Sequence, residues 1–201
     1  MYERKESYQA PQQWGASPSP SRGKRFLGLL GEVLQTLIIA VGLFLIVNLV
    51  TARIRVEGNS MEPSLHDGEF VVVNRLSMYW QEPRRGDIVV FHFPLDRTRR
   101  YIKRVIGLPG DVVSIQDGVV YINGIELNEP YIAETPKYTG EWEIGLSEVF
   151  VLGDNRNASS DSQNWGNLDQ DDIIGKAVLV YWPPREISLI PHYDLAVAAQ
   201  E

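Results

Sequence analysis

The sequence predicts a mainly β protein: an antiparallel sheet or barrel-like domain behind one membrane-spanning helix. Three observations predict it. Val33–Ala52 is a run of 20 residues without a charge. From Arg53 onward short β-rich runs of period two take over. Turn dipeptides, Asp117-Gly118 and Asn123-Gly124 among them, punctuate those runs. Composition sets the outer bounds. The chain has 201 residues, is 44% hydrophobic and carries a net charge of −7. Disordered and collagen-like chains are excluded, and an acidic total argues against a general nucleic-acid binder. With no cysteine, disulfides, thiolate metal sites and a cysteine nucleophile are excluded too. His66, His92 and His192 are scattered without metal-ligand spacing, so neither a metal nor another cofactor is expected.

Taken in order, residues 1–25 read as a disordered tail, since Tyr8–Lys24 offers almost no aliphatic side chain to bury. The tail ends in the basic cluster Arg22, Lys24 and Arg25. Residues 26–52 read as a transmembrane helix: at about 1.5 Å per residue, Val33–Ala52 spans about 30 Å, the thickness of bilayer hydrocarbon. A buried core helix and a cleaved signal peptide are the competing readings. For the latter the apolar core is too long and no Ala-x-Ala pattern follows. The basic cluster favours a cytoplasmic N-terminus, and Arg53 and Arg55 on the far flank oppose it. Charge splits at the same place, with net +2 over residues 1–51 and net −9 over the rest.

Residues 53–201 then form the β-rich domain. Strands are expected at Ile54–Glu57, Glu69–Arg75, Asp87–Phe93, Tyr101–Ile106, Val112–Gln116, Val119–Ile122, Ile125–Leu127, Val149–Leu152 and Lys176–Trp182. Val112–Leu127 reads as a three-stranded meander, because its two dipeptides suit turns whose central residues have positive φ. Short helices are expected only after Met61 and near Asp169–Ile173. Leu76–Trp80 reads as an apolar aromatic loop, suited either to the membrane interface or to covering the core. Residues 128–147 read as a polar, acidic, peripheral insertion.

Three polar clusters interrupt the β runs: Gly58–Leu65, Tyr101–Asp111 and Gly153–Ser162. Functional groups of a β domain gather where strands hand over to loops. Lys103 shares a strand face with Tyr101 and Val105. Buried there, its amine would lose its proton more readily and become a usable base near neutral pH. On an edge strand the same lysine would be a solvated charge that deters edge pairing. Ser60 is equally two-sided. It is either an ordinary turn residue or a nucleophile whose glycine-bearing turn frees backbone N–H groups for an oxyanion.

Together these residues resemble bacterial type I signal peptidases, a serine–lysine endopeptidase family. Four segments match in order behind the apolar helix: Ser60–Leu65, Arg85–Phe91, Lys103–Asp111 and Gly153–Gly166. The resemblance implies a membrane-anchored enzyme with Ser60 as nucleophile and Lys103 as general base. It removes signal peptides from secretory preproteins after Ala-x-Ala-like sites, outside the cytoplasm. Ser159 would hydrogen-bond and orient the Lys103 amine, with Asp154, Arg156 and Asp161 supporting the loop. Ile54, Val56, Met61, Leu65 and Ile102 would wall the substrate pockets. Implied partners are the preproteins, the lipid bilayer and the secretion translocon. Three positions depart from common patterns. Ser64 stands where threonine is frequent. Gln163 stands where an arginine often pairs with the aspartate. Gly58 stands where some members carry an oxyanion-donating serine, which leaves the Ser60 N–H as the main donor. The alternatives from other classes are a membrane-anchored β domain that only binds peptides and a self-cleaving regulator, which would need a DNA-binding domain.

Overall fold

A computed structural model describes residues 22–193 and 195. The expected tail at residues 1–21 lies outside the described residues, and Arg22–Arg25 belong to the first helix rather than to the tail. That helix, α1, runs Arg22–Val50. Its Leu29–Val50 stretch is long and apolar enough to cross a membrane and none of its side chains is buried, so the buried-core reading of this helix does not hold.

The rest of the described chain is antiparallel β. In order it comprises β1 (Thr51–Arg55), β2 (Phe70–Asn74), α2 (Ser77–Trp80), β3 (Ile88–Phe93), β4 (Asp96–Gly107), β5 (Val112–Gln116), β6 (Val119–Ile122), β7 (Ile125–Glu126), β8 (Gly140–Glu143), β9 (Glu148–Leu152), α3 (Ser162–Trp165), β10 (Leu168–Asp169), a 3-10 turn (Gln170–Asp172), β11 (Ile173–Trp182) and β12 (Ser188–Leu189). One sheet follows the path β1-β2-β11-β3-β4-β9-β10, with β12 beside β11. The other is β7-β6-β5-β8.

The meander stands where the turn chemistry puts it. Asp117 and Asn123 adopt φ of 50° and 52°, ahead of Gly118 and Gly124. A polar residue and a glycine tolerate that region best, which sets the β5–β6 register. Elsewhere tertiary context moves the bounds. β1 begins earlier than expected and stops before Glu57, because β2 pairs with it from Thr51 to Arg55. β4 reaches back to Asp96 because β3 pairs along it. No helix follows Met61, where the Leu65 N–H closes a turn onto the Met61 carbonyl. The loop expected at Leu76–Trp80 holds α2, with Trp80 exposed and Met78 packed against the core.

The stretch 128–147, expected at the periphery, supplies β8, which pairs with β5. It also buries Tyr131 and Ile144 in the cluster around Ile106, Val113 and Phe150. Two further clusters fill the β domain, one on Met61, Leu65, Val71 and Ile88, the other on Val89, Phe91, Val105 and Val151. Burial of each such side chain contributes roughly 1.5–3 kcal/mol. β4 touches all three through alternate residues: Val105 faces the third, Ile102 the first and Ile106 the second.

Candidate active site

The side chain of Ser60 sits in the turn after β1. Asn155 fastens this turn from across the site: its backbone N–H donates to the Ser60 carbonyl at 3.1 Å and its side chain to the Asn59 carbonyl at 3.2 Å. Gly153 makes the approach possible, because a Cβ there would collide with the Ser60 carbonyl and the Ser159 side chain.

Lys103 lies on β4, opposite Val89, and is only 4% exposed. Its Nζ stands 2.7 Å from Ser60 Oγ and 2.8 Å from the Ile102 carbonyl, 5.5 Å from the centre of the Tyr101 ring. Burial lowers its pKa to about 8, against the opposing pull of the Asp161 and Asp154 charges. Asp161 itself is pushed upward by burial, partly countered by the Gly153 N–H that its Oδ2 accepts at 2.9 Å.

Ser159 departs from expectation. It packs beside Gly153, but its hydroxyl is buried without a hydrogen-bond partner among the described residues. The predicted bond to Lys103 is not formed: the amine bonds Ser60 and the Ile102 carbonyl, which leaves it one further position. The other supporting residues cross-brace the loops. Asp161 caps α3 through the Gln163 N–H, so backbone takes the place of the arginine that Gln163 replaces. Arg156 pairs with Glu129 and donates to the Gly153 carbonyl. Asp154 receives both Nε and Nη2 of Arg104, at 2.8 and 2.6 Å.

Arg104 is the residue that the sequence reading passed over. It is fully buried and also reaches the Gly86 carbonyl and Ser64 Oγ, stacking 4.0 Å over Tyr131. One guanidinium thereby ties the Ser60 loop, the Gly86 turn and the Asp154 loop together. The signal was available: Arg104 alternates with Ile102 and Ile106, so its face is apolar and its charge needs a carboxylate. Ser64 keeps the hydroxyl that the arginine uses. Gly58, at φ 81°, donates its N–H to Asp67.

A cavity of about 370 Å³ opens over Ser60 and Lys103. Of the expected wall residues, Ile54 and Ile102 line it. Val56, Met61 and Leu65 instead lie in the hydrophobic core, and Met61 and Leu65 have no exposed surface. Arg55, Glu57, Val90, Arg99, Arg100, Tyr101 and Ser160 complete the lining and were not anticipated as such.

Among the described residues His66, Glu69 and Glu186 bring possible metal-ligand atoms within 4.8 Å of one another. Sequence spacing could not reveal the group, since Glu186 arrives from beyond β11. Glu69 already accepts the His66 N–H at 3.0 Å.

The model of the family "Signal peptidase, peptidase S26" matches residues 30–182. Signal peptidase I of Leptolyngbya laminosa is 39% identical over 187 residues, covering 88% of this chain and 91% of that protein. Signal peptidase I of Bacillus licheniformis is 39% identical over 171 residues, covering 79% and 91%. A crystal structure of a signal peptidase I from Enterococcus faecalis V583 is similar at 33% identity and a TM-score of 0.45, covering 48% of this chain and 97% of that one. The family match over residues 30–182 and the two relatives at 39% identity mean that the chain belongs to the signal peptidase family, peptidase S26, and is an enzyme that removes signal peptides.

Proposed function

We propose that the chain is a membrane-anchored serine endopeptidase with Ser60 as nucleophile and Lys103 as general base. The observation that carries this reading is the amine of Lys103, shielded from water and 2.7 Å from the Ser60 hydroxyl. Neutral Lys103 takes the Ser60 proton as Oγ attacks the scissile carbonyl carbon. The oxyanion is met by the Ser60 backbone N–H, which donates to no protein carbonyl among the described residues. The tetrahedral adduct collapses, the C–N bond breaks, and the Lys103 ammonium returns the proton to the departing amine. Lys103 then takes a proton from water, whose hydroxide opens the Ser60 ester and frees the signal peptide's carboxylate. Asp154, Arg156 and Asp161 hold the loop beside Ser60, and Ser159 packs against the turn.

The free strand edges supply the substrate's place. β9 pairs with β4 only from Arg104 onward, which leaves the edge before it open, and β1 pairs with β2 alone. An extended peptide adds its backbone to such edges. Ile54, Ile102 and Val90 then leave room only for small side chains, in keeping with Ala-x-Ala sites. Leu29–Val50 anchors the enzyme in the bilayer, with the basic cluster before it on the cytoplasmic side and the peptidase domain on the other. The translocon that delivers preproteins is the further partner in this reading.

The test is incubation of the detergent-solubilised chain with an Ala-x-Ala preprotein beside its Ser60→Ala and Lys103→Ala variants. Cleavage at the Ala-x-Ala site by wild type alone is expected. Comparable turnover by either variant would overturn the assignment.

A further inference from the structure

We infer that Arg99 and Arg100, which line the same cleft as Arg55, form a basic subsite that selects preproteins with a carboxylate side chain four or five residues before the scissile bond. This rests on the proposed reading, in which the residues preceding that bond lie along β4.

The domain after residue 51 carries a net charge of −9, yet its cleft is lined by three exposed arginines and a single carboxylate, Glu57. Three like charges gathered in one cleft repel one another, and an anion bound among them relieves that repulsion. Among the described residues neighbouring Arg97 has its own partner, Asp172 at 2.7 Å, whereas Arg55, Arg99 and Arg100 are in no ion pair. The nearest acid on the same strand, Asp96, bonds the N–H and hydroxyl of Thr98 through Oδ1, at 3.1 and 2.6 Å, and attracts Arg99 only from beyond ion-pair distance.

Arg99 is also held in place. Its guanidinium carbon lies 5.3 Å from the ring centre of Tyr101 and 5.9 Å from that of Phe93. Those two rings stack at 4.5 Å. A guanidinium drawn toward two ring faces has lost part of its freedom before any ligand binds, so less is lost on binding. The Tyr101 ring separates Arg99 from Lys103, which sets the distance to the chemistry. Strand residues advance about 3.3 Å each and a paired peptide keeps pace. With the residue just before the cut level with Lys103 and the peptide running parallel to β4, the fourth and fifth residues before the bond stand level with Arg100 and Arg99.

The experiment measures kcat/KM for two preproteins that differ only in carrying Asp or Lys at those two positions, using the full detergent-solubilised chain. Wild type is expected to favour the Asp preprotein by roughly 10-fold at low salt, and by less at about 0.5 M salt. The Arg99→Glu, Arg100→Glu double variant should reverse the preference, and Arg99→Gln with Arg100→Gln should bring the ratio near one. A wild-type ratio of one, or a ratio unmoved by charge reversal, would overturn the inference while leaving the peptidase reading intact. So would a double variant that loses only co-sedimentation with anionic phospholipid vesicles, since the arginines would then serve the bilayer. Failure of wild type to cut either preprotein would instead count against the peptidase reading, and this inference would fall with it.

Discussion

At Lys103 burial sets reactivity and stability against each other. Below pH 8 the native state holds a charged amine away from water, and the proposed mechanism requires that charge to leave. The kcat/KM of the wild type is therefore expected to rise about tenfold per pH unit below about 8 and to level off above it. A stopped assay between pH 6 and 10 checks this, and a flat profile would contradict it. Stability follows the same shift. Between about 8 and 10.5 the unfolded chain binds the proton that the folded chain has released. Stability should therefore rise with pH across that window, and the full cost, about 3 kcal/mol, should be present below it. Lys103→Met is expected to unfold at higher urea than wild type at pH 7, with the gap narrowing toward pH 10.5. Lys103→Arg should lose cleavage by at least about 10³-fold, because arginine keeps its proton. The positions of Ser60 and Lys103 were legible as residues of interest, whereas their 2.7 Å approach was not. It joins positions 43 residues apart in the chain.

At the scale of elements, the Gly153–Ser162 loop and β4 create the site between them. The buried Arg104–Asp154 pair is the joint, with both side chains inaccessible to water. Asp154→Ala would strand the guanidinium in the core, at a cost of roughly 3–5 kcal/mol in urea unfolding. It should also lower kcat, since Arg104 links to the Ser60 loop through Ser64. Gly153→Ala is expected to reduce turnover as well, by pushing the Ser60 carbonyl aside. A variant with normal rates would show that the turn has room to shift. Elements with strong local chemistry were readable in advance: β5 and β6 stand at the expected bounds because alternation and left-handed turns act over a few residues. β8, β10 and β12 were not, because no turn dipeptide of the meander's kind fixes their place and each is defined by its partner, as Trp142 is by Val113.

At the scale of the whole molecule, the proposed anchoring gives the apolar surface of α1 a different solvent from that of the β domain. Leu37, Leu43 and Phe44 are each about 60% exposed. Leu43→Arg with Phe44→Arg would each cost roughly 2.5–3.5 kcal/mol at a bilayer centre. The double variant is expected to leave the membrane fraction on alkaline carbonate extraction. Retention equal to wild type would argue that this helix is no anchor. The sequence alone determined the fold class, the apolar helix, the meander, the family and the residues worth watching. All of these depend on local periodicity, turn geometry or short motifs. Only the tertiary structure decided that Lys103 loses its water, that Ser159 packs beside Gly153 without bonding the amine, and that Met61 and Leu65 are core while Arg99 and Arg100 rim the cleft. Burial and distance are properties of chain segments brought together from afar, and no local pattern encodes which side of a strand will find a partner.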